Sequence, residues 1–385
     1  MVNTIKQQNI PVGWSIKQIG DLLDFERPDN YIVESESYSP RYKTPVLTAN
    51  KSFVLGYTNE DFGIYKNTPA VIFDDFTTDS KFVDFPFKIK SSAIKILKSK
   101  GENFDLRFVY ELMKSINFQI ANHKRHYISQ YQYLEVATPP INEQKRIAEI
   151  LSTIDKEIKE TDEIILQTEK LREGVLSELF TKGIGHKNFK KTKFGDIPVD
   201  WDIKKLEDVV LFENGKAHEN FIEDNGNFIV VNSKFIAQNG EVIKRTNNGL
   251  KILNRGDIAI VMSDIPQGKA LAKCFFVDED NKYTLNQRIG LLRPLSGYSK
   301  YFFYFLNRNK YFLNFSNETS QTNLRKQQVL DCPIAIPPVS EQEKIAEIIS
   351  SIDKKLSINI QHKEKLLELK KGLSQDLLTG KVRTI

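Results

Sequence analysis

Two stretches of the chain share one helical pattern of hydrophobic and polar positions. The first reads PPINEQKRIAEILSTIDKEI from Pro139 to Ile158, and the second reads PPVSEQEKIAEIISSIDKKL from Pro337 to Leu356. About 12 of the 20 positions are identical at an offset of 198 residues (337 − 139 = 198), far more than chance produces. The pattern therefore predicts a duplicated chain organised around two long helices.

Apolar positions in both copies recur close to heptad spacing, which is typical of helices that pack on one another. They are Ile147, Leu151, Ile154 and Ile158 in the first copy and Ile345, Ile349, Ile352 and Leu356 in the second. Polar Thr161 and Asn359 interrupt the two seams at the same relative position. We predict an antiparallel coiled coil, because a parallel pair would put both globular regions at one end. Packing of each helix on its own globular domain is the alternative.

The proline pairs indicate where each helix begins. Proline removes a backbone donor and cannot continue a strand or lie within a helix at low cost. Each pair therefore predicts the exit from a globular region. Ser340 with Glu343 has the spacing of a capping box, and Asn142 is a favourable cap for the first helix, so we expect the N-caps at these two positions.

A globular region precedes each helix. The two regions open with related segments, IPVGW at Ile10 and IPVDW at Ile197, and continue with short β-like runs, a helical run rich in aromatic residues and a polar stretch. We predict an α+β fold in which two mixed α/β domains are separated by two long antiparallel coiled-coil helices, as a pseudo-twofold internal repeat. The predicted segments are residues 1–138 (first domain), 139–183 (first spacer helix), 184–196 (basic linker), 197–336 (second domain) and 337–385 (second spacer helix).

Composition narrows the protein class only moderately. Hydrophobic residues make up 40% and charged residues 27% of the 385 positions, which is ordinary for a globular protein. The first residues have no apolar core of a signal peptide, and no apolar run is long enough for a bilayer, so we expect a cytoplasmic protein without a membrane partner. Two cysteines are too few for a disulfide framework or a zinc site. The net charge of +5 permits a nucleic-acid partner without requiring one.

Catalytic motifs are missing from the sequence. Neither Gly215-Lys216 nor Gly268-Lys269 has the preceding glycine of a phosphate-binding loop, and no G-x-G-x-x-G follows a predicted strand. The cluster of Asp74, Asp75, Asp79 and Asp84 with Lys81 resembles a magnesium nuclease site, but the second region keeps only Asp264 and Lys269 of it. We therefore expect no catalytic and no metal-binding residues in this chain.

Polar segments at the ends of predicted strands are the best candidates for contact with DNA. NTPAVIFDD (67–75) matches GDIAIVMSD (256–264), so that Asp75 corresponds to Asp264, and a loop reaching a lysine follows each. Acidic residues can accept from cytosine, whereas basic and amide side chains meet guanine, adenine or phosphate. Structural turns and solvated loops are the alternative interpretation. The candidates are Asn50, Lys51, Thr77, Thr78, Asp79, Lys81, Lys124 and Arg125 in the first region and Ser233, Lys234, Gln267, Lys269, Gln287, Arg288, Asn323 and Arg325 in the second.

The order of these segments resembles the specificity subunit of type I restriction–modification enzymes. The resemblance is carried by the doubled P-P-x-x-E-Q-x-x-I-A-E-I helix, each copy preceded by a variable α/β region with an IP-x-x-W opening. It implies two target recognition domains, each reading one half of a split sequence in double-stranded DNA. It also implies that the helices set the half-site spacing and dock two methyltransferase subunits, with restriction and translocase subunits joining the complex.

The resemblance further implies that no cofactor is bound by this chain. S-adenosylmethionine, ATP and magnesium would belong to the partner subunits, and the chain itself would not be an enzyme. The polar stretches before the proline pairs differ, HKRHYISQ against QTNLRKQQ, which favours an asymmetric target. A coiled-coil protein–protein scaffold without DNA readout is the alternative function.

Overall fold

The structure is a computed structural model, and it describes residues 10–50, 52–118, 125–193, 195–265, 270–316 and 321–384. The chain forms two compact units. Unit 1 comprises Met1–Ile164 and Ile360–Ile385, and unit 2 comprises Ile165–Asn359. The boundaries between the two units therefore fall within both long helices.

Unit 1 contains a mixed α/β region that leads into the first long helix. Short 3-10 turns lie at Asp29–Tyr31 and Tyr131–Tyr133. The regular elements are β1 (Ser15–Gln18), α1 (Ile19–Leu22), β2 (Leu23–Glu26), β3 (Thr44–Leu47), β4 (Val54–Thr58), β5 (Ala70–Asp74), β6 (Ser80–Val83), β7 (Lys88–Ile89), β8 (Ile94–Ser99), α2 (Leu106–Ser115), β9 (Glu135–Thr138) and the long helix α3 (Ile141–Lys182).

Two sheets and one strand pair organise unit 1. A four-stranded antiparallel sheet has the order β2-β8-β5-β6, and a three-stranded sheet has the order β4-β3-β7, with β3 and β7 parallel. Strand β5 is buried at every position, as expected for the apolar run AVIF in the middle of a sheet. Strands β1 and β9 pair antiparallel, so the chain enters and leaves the region side by side.

Unit 2 repeats this plan after the linker. Short 3-10 turns lie at Leu206–Asp208 and Glu219–Phe221. The regular elements are β10 (Phe189–Thr192), β11 (Gly195–Pro198), β12 (Asp202–Lys205), β13 (Val210–Asn214), β14 (Phe228–Val231), α4 (Ser233–Ala237), β15 (Arg245–Thr246), β16 (Ile258–Val261), β17 (Ser263–Asp264), β18 (Cys274–Phe276), β19 (Tyr283–Leu285), β20 (Ile289–Pro294), α5 (Ser299–Leu306), α6 (Lys310–Leu313), β21 (Thr322–Asn323), α7 (Lys326–Leu330), β22 (Pro333–Ile336) and the second long helix α8 (Val339–Leu378).

The sheets of unit 2 correspond to those of unit 1. The four-stranded sheet is β13-β20-β16-β18, the three-stranded sheet is β15-β14-β19 with β14 and β19 parallel, and β12 pairs with β22 as β1 pairs with β9. The strands β10 and β11 form a separate hairpin, and β17 pairs with β21. The predicted α+β fold with an internal repeat is confirmed. Both cysteines, Cys274 and Cys332, are buried and unpaired in unit 2.

The long helices begin directly after the proline pairs, earlier than the predicted caps. Glu143 N donates to Pro140 O at 2.9 Å, and Glu341 N donates to Pro338 O at 2.9 Å. The N-cap assignments of Asn142 and Ser340 were wrong, since both residues lie within the first helical turn. Proline suits the start of a helix because its φ is already helical and its missing N–H would have no partner there.

The Glu-Gln pair of the repeated motif anchors each helix to its own globular region. In unit 1 Trp14 Nε1 donates to Glu143 Oε2 at 3.0 Å, while Gln144 accepts from Asp105 N at 2.9 Å and donates to Pro139 O at 2.8 Å. Asp105 is the N-cap of α2, so Gln144 joins the starts of two helices. These buried polar groups satisfy one another, which makes the junction specific.

Unit 2 builds the same anchor. Trp201 Nε1 donates to Glu341 Oε2 at 3.0 Å, and Gln342 accepts from Tyr298 N at 2.9 Å and donates to Pro337 O at 2.8 Å. Gly183, with a φ of +64°, lies so close that an added Cβ would be 2.5 Å from Glu341 Oε1. Only glycine fits there, which explains how α3 ends beside this anchor.

A basic side chain also contacts the anchor glutamate in each unit. In unit 1 Arg383, from the segment after α8, donates to both oxygens of Glu143 at 2.7 and 2.9 Å and to Val12 O at 2.9 Å. In unit 2 His186 Nε2 lies 2.8 Å from Glu341 Oε1. The two equivalent carboxylates are therefore held by arginine in one unit and by histidine in the other.

The long helices run antiparallel within each unit. In unit 1 Asp155 pairs with Lys370, and Lys363 with Asp162. In unit 2 Arg172 pairs with Asp353, and Ile184 N donates to Glu341 Oε1 at 2.8 Å. In both units, therefore, residues farther along the first segment contact residues earlier in α8. The Asp155–Lys370 and Asp353–Arg172 pairs are equivalent at the offset of 198 residues (353 − 155 = 370 − 172 = 198).

Both predicted packing modes of the helices occur together. In unit 1 Ile147 and Leu151 are fully buried in one core with Phe108 and Met113 of α2 and with Leu377 of α8. Ile154 is buried, and Ile158 is half-buried, farther along the seam. In unit 2 the core that contains Trp201 also contains Ile345 and Ile349, and Ile352 and Leu356 are half-buried.

The two polar seam positions have different environments. In unit 1 Thr161 is buried and its hydroxyl donates to Glu157 O at 2.8 Å, so the helix itself satisfies it. In unit 2 Asn359 is half-buried, and its Nδ2 has no hydrogen-bond partner among the described residues. A buried unpaired donor is costly. Asn359 therefore lowers the stability of its seam more than Thr161 does.

We predict that Glu143→Gln weakens unit 1 selectively. The Arg383 guanidinium lowers the pKa of Glu143, and a charged hydrogen-bonded pair of this kind contributes about 2 kcal/mol. Hydrogen exchange should increase in residues 10–22 and 135–151 at pH 7 and stay unchanged in residues 197–210. Glu149→Gln, an exposed position on the same helix, is the control.

The stabilising effect of Glu143 should also depend on pH in a defined direction. A carboxyl with a lowered folded-state pKa stabilises the fold above its ordinary pKa and loses that contribution as the pH falls through the folded-state value. The difference between wild type and Glu143→Gln should therefore shrink as the pH is lowered below the usual glutamate range. Equal exchange of the two proteins at pH 7 would contradict the stabilising role of the pair.

Candidate nucleic-acid interface

In unit 1 four segments meet at the carboxyl ends of the parallel strands β3 and β7. Lys90 N donates to Leu47 O at 3.1 Å, which joins the segment after β7 to the segment after β3. Asp75 N donates to Ala93 O at 2.9 Å, and His126 N donates to Asp75 O at 2.9 Å. Backbone hydrogen bonds therefore connect the segments 48–50, 90–93, 75–79 and 125–130 in one continuous series.

Unit 2 has an equivalent series. Asn286 N donates to Val231 O at 3.0 Å, Met262 N to Arg288 O at 3.0 Å, and Leu324 N to Met262 O at 2.7 Å. The connected segments are 232–234, 286–288, 262–265 and 321–325. We call the four connected segments of each unit its loop edge. The same backbone scaffold thus presents different side chains in the two units.

Most of the predicted DNA-contacting residues of unit 1 lie on its loop edge. Asn50, Thr77, Asp79 and Arg125 are exposed there, and Thr78 is half-buried with a φ of +58°. Lys81 was placed wrongly in a loop, since it lies in β6 opposite Ile72. The loop ends at Asp79, before the last polar residues of the segment, because Asp74 N donates to Asp79 O and strand pairing resumes there. Lys51 and Lys124 lie outside the described residues.

The candidates of unit 2 also converge. Gln287, Arg288, Asn323 and Arg325 are exposed on the loop edge, and Asn323 pairs with Ser263 across β17 and β21. Gln267 and Lys269 lie outside the described residues.

Ser233 and Lys234 were expected at the end of a strand, but they form the first turn of α4. Asn232 caps this helix by accepting from Phe235 N at 2.9 Å. β14 ends here because the Asn232 side chain accepts from a backbone N–H of the first turn of α4, which favours the start of a helix over continuation of the strand. Lys234 remains exposed beside the edge.

The predicted correspondence of Asp75 with Asp264 was wrong by two residues. Asp75 N bonds to Ala93 O in unit 1, and the matching bond in unit 2 comes from Met262 N to Arg288 O. Asp75 thus occupies the place of Met262, not of Asp264. Two short apolar strands can be aligned in several registers from sequence, and only the hydrogen bonds of the sheet select one.

Two of the aspartates at these strand ends accept hydrogen bonds from backbone amides. Asp74 Oδ1 accepts from Phe76 N and Thr77 N, both at 2.9 Å. Asp264 Oδ2 accepts from Ala270 N at 2.7 Å and from Leu271 N at 3.1 Å. Within the described part of the chain, no group of three or more His, Cys, Asp or Glu side chains could hold a metal ion. The structural-turn interpretation therefore holds for Asp74 and Asp264.

Asp75 fastens the 125–130 segment to the sheet. Its Oδ1 accepts from Tyr127 N at 2.8 Å, and its Oδ2 lies 3.0 Å from Lys95 Nζ, with both side chains of the ion pair buried. Buried charges persist only when they are paired and hydrogen-bonded. The pair holds the backbone on both sides of His126, and Arg125 projects next to it as an exposed cation.

The turn 215–219 was missed by sequence reasoning. Lys216 N donates to Leu285 O at 3.0 Å and His218 N to Asn286 Oδ1 at 3.1 Å, which brings this turn onto the loop edge of unit 2. A Cβ on Gly215 would be 1.9 Å from Asn286 O, so the approach requires glycine. Gly215-Lys216 was considered only as part of a phosphate-binding loop, although a glycine at a close backbone approach was the available signal.

The loop edge of unit 2 is strongly basic. Among the described residues, exposed cations on this edge or on the adjoining turn and helix include Lys216, Lys234, Arg288 and Arg325. Glu219 is an acidic residue beside them, and hydrogen bonds from Asn286 lower its pKa. Cations, amides and a fixed carboxylate are the groups that bind phosphates and base edges.

A sequence model described as the type I restriction modification DNA specificity domain matches residues 11–168 and 198–369. The MjaVIII specificity subunit of Methanocaldococcus jannaschii is 27% identical over 400 residues, covering 97% of this chain and 94% of that protein. The EcoR124I/EcoR124II specificity subunit of Escherichia coli is 43% identical over 147 residues, which is 36% of each chain.

Solved structures agree on the fold. The S subunit of a type I restriction–modification system from M. genitalium matches with a TM-score of 0.67 and 17% identity, covering 96% of this chain and 97% of that one. A chain from a study of complex assembly in the type I system matches with a TM-score of 0.55 and 16% identity, covering 97% and 99%. No helix in the described ranges has both the length and the apolar character to cross a membrane. On the matched family domains, which cover most of the chain, this protein belongs to the type I restriction–modification specificity subunits.

Proposed function

We propose that the loop edge of each unit reads one half of a bipartite, asymmetric target in double-stranded DNA. The observation that carries the proposal is the hydrogen-bonded series of four segments, which brings exposed amide and basic side chains to one edge in both units. Phosphate contacts from cations would position the chain, and amide, hydroxyl and carboxylate groups would distinguish bases. The chain itself would be non-catalytic.

The difference between the two loop edges supports an asymmetric target. Arg125 lies on the last segment of the edge in unit 1, whereas the corresponding stretch of unit 2 carries Asn323 and Arg325. Residues 90–93 of unit 1, Lys-Ser-Ser-Ala, correspond to residues 286–288 of unit 2, Asn-Gln-Arg, because Lys90 N and Asn286 N donate equivalent bonds and Ala93 O and Arg288 O accept equivalent bonds. Hydroxyl and methyl groups cannot make the bidentate contacts of an amide or a guanidinium.

The long helices would set the half-site spacing and dock two methyltransferase subunits. Apolar side chains that are more than one-third exposed occur on the helices of both units, with Ile164, Ile360, Leu367 and Leu369 in unit 1 and Leu166, Leu171, Ile348 and Ile358 in unit 2. Leu171 and Leu369 are equivalent at the offset of 198 residues (369 − 171 = 198). Exposed apolar groups in such numbers favour a protein partner.

The partner subunits would supply the chemistry. We expect S-adenosylmethionine on the methyltransferase subunits and ATP with magnesium on the restriction and translocase subunits. Specificity for a DNA sequence and catalysis would then lie on different chains. A change in this chain would alter where methylation occurs without altering the reaction.

Exchange of residues 1–138 for the matching domain of another specificity subunit tests the two-reader proposal. We expect one half of the methylated motif to change, because one reader is replaced and the other is kept. Methylome sequencing of a host that expresses the chain with its modification subunit would measure this. Alteration of both halves would overturn the proposal of independent readers.

Insertion of one helical turn after Thr161 and after Asn359 tests the spacing proposal. Insertion in both helices preserves their pairing and adds about 5.4 Å, against about 3.4 Å per base pair. The non-specific spacer of the methylated motif should lengthen by about one or two base pairs, with both half-sites retained. An active complex with the original spacer would rule out the helices as the determinant of spacing.

Arg325→Ala tests phosphate contact by the loop edge, with Arg255→Ala as control. Arg255 is an exposed arginine before β16, whereas the loop edge follows that strand. Loss of one phosphate contact should weaken DNA binding by the complex and reduce the slope of log K against log salt by about one. Anisotropy measurements on a target duplex would give the slope. A scaffold without DNA readout would show no such binding.

A further inference from the structure

An exposed amide of unit 2 is held in one orientation by a neighbouring carboxylate. Gln287 Nε2 donates to Glu219 Oε1 at 3.0 Å. The same oxygen accepts from Asn286 Nδ2 at 3.1 Å. Both amides therefore direct their NH₂ groups toward Glu219, and Gln287 is the exposed one of the two.

The turn that carries Glu219 is itself fixed by a buried histidine. His218 is fully buried, and its Nδ1 donates to Lys216 O at 2.7 Å, since a carbonyl can only accept. Its Nε2 lies 3.0 Å from Thr284 Oγ1, and its backbone N donates to Asn286 Oδ1 at 3.1 Å. Glu219 is thus held against the 286–288 segment by contacts on both sides of the turn.

The carboxylate makes rotation of the Gln287 amide unfavourable. An ionised carboxylate only accepts hydrogen bonds, so it stabilises the amide with Nε2 toward it and repels the amide with Oε1 toward it. The hydrogen bonds to Glu219 also lower its pKa, which keeps it ionised at neutral pH. One N–H of Gln287 is used by Glu219, and Oε1 and the second N–H remain available.

The remaining groups match one base. Adenine presents a donor at N6 and an acceptor at N7 in the major groove, which fits an amide oxygen beside an amide N–H. Guanine presents two acceptors, O6 and N7, so the same amide would direct Oε1 at O6. Rotating the amide to suit guanine would direct Oε1 at Glu219. Guanine is therefore disfavoured in both orientations, because Oε1 faces O6 in the first and faces the Glu219 carboxylate in the second.

We propose that Glu219 is a positioning residue that makes Gln287 read adenine and reject guanine at one position of the half-site bound by unit 2. The inference rests on the proposed function and goes beyond it, because it assigns a base preference to a named pair. In unit 1 the residues between the equivalent backbone bonds are Ser91 and Ser92, neither of which carries an amide, so the device belongs to one half-site only.

Glu219→Gln tests the inference without changing the size of the side chain. The substituted amide can either accept or donate, so it stabilises both orientations of the Gln287 amide. We expect one adenine position in one half-site to become adenine or guanine in the methylome of a host that expresses the chain with its modification subunit. A bidentate amide contact discriminates by about tenfold to hundredfold, and this preference should fall toward onefold.

Three further variants isolate the effect. Gln287→Ala should relax the same position. Glu219→Gln combined with Gln287→Ala should match Gln287→Ala alone, because Gln287 is the exposed amide bonded to Glu219 and the other, Asn286, is buried. Glu279→Gln removes an exposed carboxylate that pairs with Lys282, and it should leave the motif unchanged.

The outcomes separate the two proposals. A wild-type chain without a bipartite motif would overturn the proposed function. A wild-type bipartite motif that Glu219→Gln leaves unchanged would overturn the inference alone. Loss of all methylation in Glu219→Gln would also count against it, because a positioning residue leaves the adenine-containing target methylated. The inference would also be overturned if Glu219→Gln and Gln287→Ala relaxed the base preference at different positions of the methylated motif.

Discussion

The hydrogen bond from a buried tryptophan to the first turn of a long helix determines how the rest of each unit is arranged. Trp14 with Glu143 and Trp201 with Glu341 join the entry strand of a globular region to the helix that leaves it. The neighbouring glutamine ties the same turn to the proline pair and to the next helix of the region. Because both tryptophans and Glu143 are buried and Glu341 is half-buried, breaking either bond leaves a buried indole N–H unsatisfied.

This anchor explains why the P-P-x-x-E-Q segment is repeated almost unchanged while the globular regions differ. Its residues bond to one another and to backbone atoms, so their geometry tolerates little substitution. The loop edges obey a different constraint. Their backbone hydrogen bonds are the same in both units, but the exposed side chains on them are free to vary. A fixed backbone with variable exposed groups suits a protein that recognises different sequences with one fold.

The two units also differ inside the shared anchor. Glu143 is held by the guanidinium of Arg383, whereas Glu341 is held by the imidazole of His186. The interhelical ion pair is likewise Asp155 with Lys370 in one unit and Asp353 with Arg172 in the other. The interhelical pair thus keeps its charges at the duplicated positions although lysine replaces arginine, whereas Arg383 and His186 reach equivalent glutamates from positions that do not correspond at the offset of 198 residues.

The sequence by itself determined the duplication, the long helices and the α+β class, because periodicity and a doubled motif are local properties of the chain. Most of the described candidate residues also lie on the loop edges, since polar segments at strand ends are recognisable from composition. The register of β5 against β8 was not determined, so Asp75 was matched with Asp264 although it occupies the place of Met262. The helix starts and the position of Lys81 were misplaced for a similar reason, because capping and strand ends depend on bonds to distant segments.

Only the tertiary structure decided which polar residues meet. Asp75 bonds to Tyr127 from 52 residues away, and Glu219 holds Gln287 from 68 residues away. Nothing in local spacing indicates such pairs, because each is created by strand pairing that brings distant segments to the same edge of a sheet. The sequence therefore supplied the residue types that can recognise DNA, and the sheet hydrogen bonds decided their neighbours and the orientation of their donors and acceptors.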